Sequence, residues 1–109
     1  MKININDIRI PLIAEWEPTS IICVKIEEMP HYKFLCGNEQ PYVEYITRFP
    51  QGRSIEGFRS LIQDFDYAKM GDIICWEAGK TFLVYDGSHR ICILFHKGFK
   101  EIDVVIKEK

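Results

Sequence analysis

Between Val84 and Phe95 an apolar run breaks at Asp86-Gly87 and resumes after Ser88-His89-Arg90, which places a hydroxyl, an imidazole and a guanidinium on the opening turn of a helix. A helix start presents backbone N–H groups with no intrahelical partner, and these attract anions. Gly87 permits a sharp turn closed to residues with a side chain. Arg90 adds a planar fork of donors matched to phosphate oxygens. Asp86, an acceptor when ionised, cannot hold phosphate; its uses are to bind Mg²⁺, to accept from a substrate hydroxyl or to brace Arg90. His89 beside a helix N-terminus is expected to be neutral, with one ring N–H left to donate. Plainer readings stand beside each residue: Ser88 as a helix cap, Asp86-Gly87 as a turn, Arg90 paired with a surface carboxylate. The convergence of all of them on one strand–turn–helix favours anion binding.

The elements that must position this loop are readable around it. Thr81–Tyr85 and Ile73–Glu77 flank Ala78-Gly79-Lys80 and predict an antiparallel hairpin, whose second strand runs straight into Asp86-Gly87. Gly98 marks the end of the following helix, with His96-Lys97 near its negative pole, and Ile102–Ile106 predicts a closing strand. Upstream, Tyr42, Tyr45, Ile46 and Phe49 recur at helical spacing after Pro41, with Pro50-Gln51-Gly52 as the stop. Phe58, Leu61, Ile62 and Phe65 repeat the pattern behind Ser54, a candidate N-cap. Ile21–Glu27, bounded by Pro18-Thr19-Ser20 and Met29-Pro30, predicts a strand; Ile3, Ile5, Ile8 and Ile10 predict an extended start that Pro11 limits; His31–Asn38 is expected to be a loop. This order predicts a small mixed α/β (α+β) fold, a sheet packed with helices, in one compact domain over residues 1–109.

The net charge of −2, with 14 basic residues spread along the chain, argues against a built-in attraction to nucleic acid, and direct nucleic-acid binding is not expected. No apolar run approaches the roughly 20 residues that cross a bilayer, and Met1–Asn6 lacks the basic and apolar regions of a secretory signal, so a cytoplasmic location and no membrane partner are expected. The four cysteines show no paired ligand spacing; Cys23, Cys75 and Cys92 are expected to be buried thiols, while His31 and Cys36 lack the further partners a metal site needs. Tyr42 and Tyr45 are read as core before base-stacking residues, and Trp76 as a packing anchor of the hairpin. Lys33, Arg48, Arg53 and Arg59 are candidate pocket cations with a default reading as surface charge, as Asp64, Asp66 and Asp72 are for a metal.

Val-Tyr-Asp-Gly-Ser-His-Arg, the helix after it, Lys-Gly and the closing β-branched strand resemble the ParB/sulfiredoxin superfamily over Leu83–Ile106, about the last quarter of the chain. The resemblance implies that fold, and its branches make different demands. Sulfiredoxins place a catalytic cysteine where this chain has Ser88, whose hydroxyl cannot perform thiol chemistry. ParB proteins add a helix-turn-helix region and a dimerising tail, and neither is expected within these 109 residues. Small free serine kinases carry a loop similar to Asp86–Arg90. By that resemblance Asp86 orients or deprotonates a substrate hydroxyl, and Gly87, Ser88, His89 and Arg90 grip the phosphate. A glutamate completes the site, with Glu39, Glu44 and Glu56 as candidates and Glu44 preferred. The implied function is a nucleotide-dependent phosphotransferase using ATP or ADP, with CTP as a further option, and Mg²⁺, on a small hydroxylated metabolite such as an amino acid or sugar. The alternatives are a non-catalytic nucleotide- or phosphate-binding module, and a ParB-like protein associated with DNA through a partner.

Overall fold

The computed structural model describes residues 1–13, 21–50 and 53–107. The expected breaks at Pro18–Ser20 and Gln51-Gly52 fall outside them. Two sheets are present among the described residues. The larger has five strands in the order β3 (Ile21–Val24), β2 (Ile8–Ile13), β5 (Thr81–Asp86), β4 (Ile74–Ala78) and β7 (Val105–Ile106). β2 runs antiparallel to β3 and parallel to β5, and β4 runs antiparallel to β5 and parallel to β7. The smaller sheet pairs β1 (Lys2–Asn4) with β6 (Glu101–Asp103). The chain is thus a mixed α/β fold, as the order of its elements predicts.

Four α-helices are described: α1 (Pro30–Leu35), α2 (Gln40–Arg48), α3 (Ile55–Gln63) and α4 (Ser88–His96). Ile91, Cys92, Ile93 and Leu94 of α4 are all buried, so this helix is apolar all round. Ile91, Cys92 and Leu94 pack with Ile8, Ile10, Cys75 and Val84 of the sheet, while Ile93 packs with Phe34, Tyr42 and Phe58 of α1, α2 and α3. A helix sandwiched between a sheet and a helical layer has no room to shift, which makes α4 a rigid support for whatever its first turn binds.

Local chemistry accounts for most boundaries. Ser54 caps α3, its hydroxyl accepting from Gly57 N–H at 3.0 Å. Gly98, at φ +91°, closes α4: its N–H bonds to Phe95 C=O and that of Phe99 to Leu94 C=O, the Schellman arrangement. Gly79, at φ +64°, turns the hairpin between β4 and β5. Pro11 is accommodated because the recorded pairing of β2 with β5 ends at Arg9.

Four expectations are corrected. His31–Asn38 is not a loop; Pro30–Leu35 forms α1, and six residues are too few to show a helical period, so the burial of His31 and Phe34 in tertiary contacts sustains it. Ile102–Ile106 is divided between two sheets: β6 pairs with β1, Val104 N–H bonds to Met1 C=O, and β7 pairs with β4. Ile21–Glu27 is strand only to Val24, with a 3₁₀ turn at Ile26–Glu28. Cys23, expected to be a buried thiol, is instead exposed on that strand because β3 is the edge of the sheet, whereas Cys75 and Cys92 are buried as expected.

Candidate functional site

The predicted loop lies where β5 hands over to α4. Register carries Cys75 opposite Val84 and Ile74 opposite Asp86, so Tyr85 is an extra residue on β5, a bulge. In an unbroken strand Asp86 would share the buried face of Val84. The bulge resets that alternation, and both Tyr85 and Asp86 are exposed. Gly87 follows at φ +119°, a left-handed conformation, and is the residue that precedes the first turn of α4. It has no side-chain cap to offer, and Ser88 is the first helical residue instead of the cap. The first intrahelical bond runs from Ile91 N–H to Gly87 C=O at 2.9 Å. The amides of Ser88, His89 and Arg90 precede that bond and face the open end of the helix.

Arg90 adds a cation to this positive helix end, and the first turn of α4 contains no acidic residue. A cation here is unfavourable by helix-dipole electrostatics, so the arrangement is suited to an anion that satisfies both. The guanidinium is folded against glycine backbone. A methyl group built on Gly71 would stand 3.1 Å from Arg90 Nη1, and one on Gly87 would stand 3.3 Å from Nη2. The Arg90 side chain is 19% exposed, and Asp86 Oδ2 lies 3.6 Å from Nη2, so Asp86 braces the guanidinium in the manner considered from the sequence.

These groups open onto a cleft of about 550 Å³, within the size range of small-ligand sites. Its walls come from α1 (His31), α2 (Tyr45), the chain before α3 (Arg53), the segment after α3 (Asp64, Phe65, Asp66, Lys69 and Gly71) and the loop itself. Of the four candidate cations, Arg53 lines it. Arg59 is paired with Glu39 at 2.6 Å, Arg48 lies over the Phe49 ring, and Lys33 is exposed on α1. The carboxylates on its walls are Asp64, Asp66 and Asp86, and Asp66 caps the following turn by accepting from Ala68 N–H at 3.0 Å. Asp72 does not line it.

None of the candidate glutamates lines the cleft. Glu44 is exposed on α2, its carboxylate 3.5 Å from Gln40 Nε2. The reason is helical phase: Tyr42 and Tyr45 face inward, and Glu44, two residues beyond Tyr42, is turned to the opposite side. Glu39 is held by Arg59 and Glu56 is exposed at the start of α3.

An aromatic and imidazole wall backs the loop. Tyr42 is fully buried, as expected of a core residue, while its neighbour Tyr45 reaches the cleft. Tyr42 Oη donates to Arg53 C=O at 2.5 Å and lies 3.0 Å from His89 Nε2. A carbonyl only accepts and the phenol has one proton, so the proton of the second contact belongs to His89 Nε2. Burial, then the Arg53 and Arg90 charges, push the His89 pKa down to about 4, so the ring is neutral near pH 7 and Nδ1 carries a lone pair. His31 packs edge-on to it, ring centroids 4.4 Å apart. It is 1% exposed, and its Nδ1 is buried with no hydrogen-bond partner among the described residues. Burial and the neighbouring His89 push the His31 pKa down to about 3. The sequence carried little signal for His31: a lone histidine in a short helix, with spacing that matches no ligand pattern. Comparison with family models, curated proteins and solved structures finds no match to this chain.

Proposed function

We propose that the chain is a small-molecule phosphotransferase in which the Asp86–Arg90 loop holds the phosphate of a nucleotide and a hydroxylated metabolite occupies the rest of the cleft. The observation that carries this reading is the meeting of the open N-terminus of α4, the Arg90 guanidinium and the 550 Å³ cleft at one point. Phosphoryl transfer asks a protein chiefly to position donor and acceptor and to stabilise charge, and Arg53, Lys69 and Arg90 on the cleft walls suit that task. The resemblance of Leu83–Ile106 to the ParB/sulfiredoxin superfamily, on the succession β5, Gly87, α4 and β6, supports the same reading.

Asp86 takes the role of orienting the acceptor hydroxyl, and Asp64 replaces Glu44 as the second carboxylate, because it stands on the cleft wall. No group of three or more metal-ligating side chains converges among the described residues. Asp86 and Asp64 on the cleft wall would hold a Mg²⁺ that arrives with the nucleotide, and the ion would supply neutralisation of phosphate charge. A second reading, a phosphate-binding module without turnover, is favoured by the 3.6 Å approach of Asp86 to Arg90, which engages the carboxylate the kinase reading needs.

Phosphorus NMR of the protein with Mg²⁺ and ATP, ADP or CTP, against a panel of amino acids and sugars, tests both. The kinase reading expects a new phosphomonoester signal that Asp86→Asn reduces at least tenfold while nucleotide binding persists. Arg90→Gln is expected to weaken nucleotide binding by roughly tenfold to a hundredfold, the usual size for a lost charge-assisted contact. Binding without turnover selects the module; no binding of any nucleotide or of inorganic phosphate refutes both.

A further inference from the structure

The cleft has a polarity that the anion site alone does not account for. Amides and cations converge at the start of α4, yet the imidazole of His89, on that same first turn, has no proton to give to an anion. Its Nε2–H is committed to Tyr42 Oη, and Tyr42 is in turn committed to Arg53 C=O. The alternative tautomer would make Tyr42 donate to His89 and leave the Arg53 carbonyl without its donor, at the free-energy cost of an unpaired polar group. The ring plane is held as well: His89 packs edge-on against Phe58 at 4.9 Å and His31 at 4.4 Å between centroids.

We propose that His89 Nδ1 is the hydrogen-bond acceptor of the cleft, and that it selects anionic ligands which carry a hydroxyl or ammonium donor beside their phosphate. This rests on the phosphate-binding reading above and names the ligand class for that site. A lone pair next to an anion site repels a second anionic oxygen and is satisfied only by a donor. Protonation would remove the selectivity, and burial, with the Arg53 and Arg90 charges adding to it, holds the ring neutral. The two imidazoles of the wall differ in access. His31 is 1% exposed and its unpartnered Nδ1 is sealed inside the wall, out of reach of a ligand in the cleft. His89 Nδ1, by contrast, is not among the sealed, unpartnered atoms and His89 lines the same cleft, so its lone pair stays reachable.

The first test needs no ligand. Long-range nitrogen–proton NMR of histidine-labelled protein at pH 7 separates protonated from bare ring nitrogens; His89 is expected to carry its proton on Nε2, and a proton on Nδ1 overturns the proposal. The second measures calorimetric binding of glycerol 3-phosphate and n-propyl phosphate, which share the phosphate and differ in hydroxyl donors. The hydroxylated ligand is expected to bind about threefold to tenfold more tightly, the worth of one or two hydrogen bonds, and His89→Phe is expected to equalise the two. Equal binding to the native chain overturns the proposal and leaves the phosphate reading intact. Failure of both phosphates, and of inorganic phosphate, to bind overturns the two together. Neither native-chain measurement depends on the variant folding.

Discussion

The buried pair His31 and His89 should make this fold acid-labile well before its carboxylates are fully protonated. Their pKa values are pushed from the ordinary 6.5 down to about 3 and about 4, first by burial and then by neighbouring charge. The unfolded chain therefore binds protons below pH 6.5 that the folded chain refuses. Stability is fully present above pH 6.5 and is lost as pH falls towards 4 for His89 and towards 3 for His31. At about pH 4.5 each ring contributes a loss of about 2–3 kcal/mol, a large share of the roughly 5–15 kcal/mol that holds a domain together. Carboxylates titrate in the same range, so the informative quantity is a difference. His31→Phe keeps an aromatic ring in the cluster with Tyr42, Tyr45 and Phe58 and removes the titration. Urea unfolding followed by circular dichroism at pH 7 and at pH 4.5 should find the variant gaining about 2–3 kcal/mol on the native chain between the two. At pH 7 it should be at least as stable as the native chain, because the unpartnered Nδ1 is gone. A stability difference that does not change with pH would refute the account of a neutral buried imidazole.

Gly71→Ala should act on ligand binding without touching the phosphate itself. Its methyl group would meet Arg90 Nη1 at 3.1 Å and displace the guanidinium, so phosphate affinity should fall severalfold while the melting temperature moves by no more than a degree or two; unchanged affinity counts against the placement of Arg90. Ser54→Ala removes the cap of α3 and should destabilise the fold by about 1 kcal/mol, readable as a shift of the denaturant midpoint with unchanged slope.

Local chemistry was legible in the residues themselves. Ser54 before an apolar helical repeat, Gly79 between two β-branched runs, and Gly98 after the last apolar turn each specify a boundary by short-range stereochemistry, and each is found in its expected role. The strand–turn–helix at Asp86–Arg90 belongs to the same class, since a glycine at positive φ and the open amides of a helix start depend on neighbours within a few residues. Composition also showed α4 as an apolar run, although its burial on two sides became visible only with Ile93 packed on the helical layer and Ile91, Cys92 and Leu94 on the sheet.

Tertiary structure alone decided which distant residues share the cleft and in what state. His31, Arg53, Asp64 and Lys69 reach it from separate segments, and Glu44 is kept from it by helical phase, a matter of how α2 is rotated against its neighbours. The bulge at Tyr85 depends on register with β4, which no stretch of β5 encodes by itself. The tautomer of His89 depends on a phenol and a carbonyl 47 and 36 positions earlier in the chain. Short-range stereochemistry sets the shape of the loop, because a backbone turn answers to its own few residues. Protonation and access are properties of the surroundings, because the charges and solvent that govern them are assembled only when the chain folds.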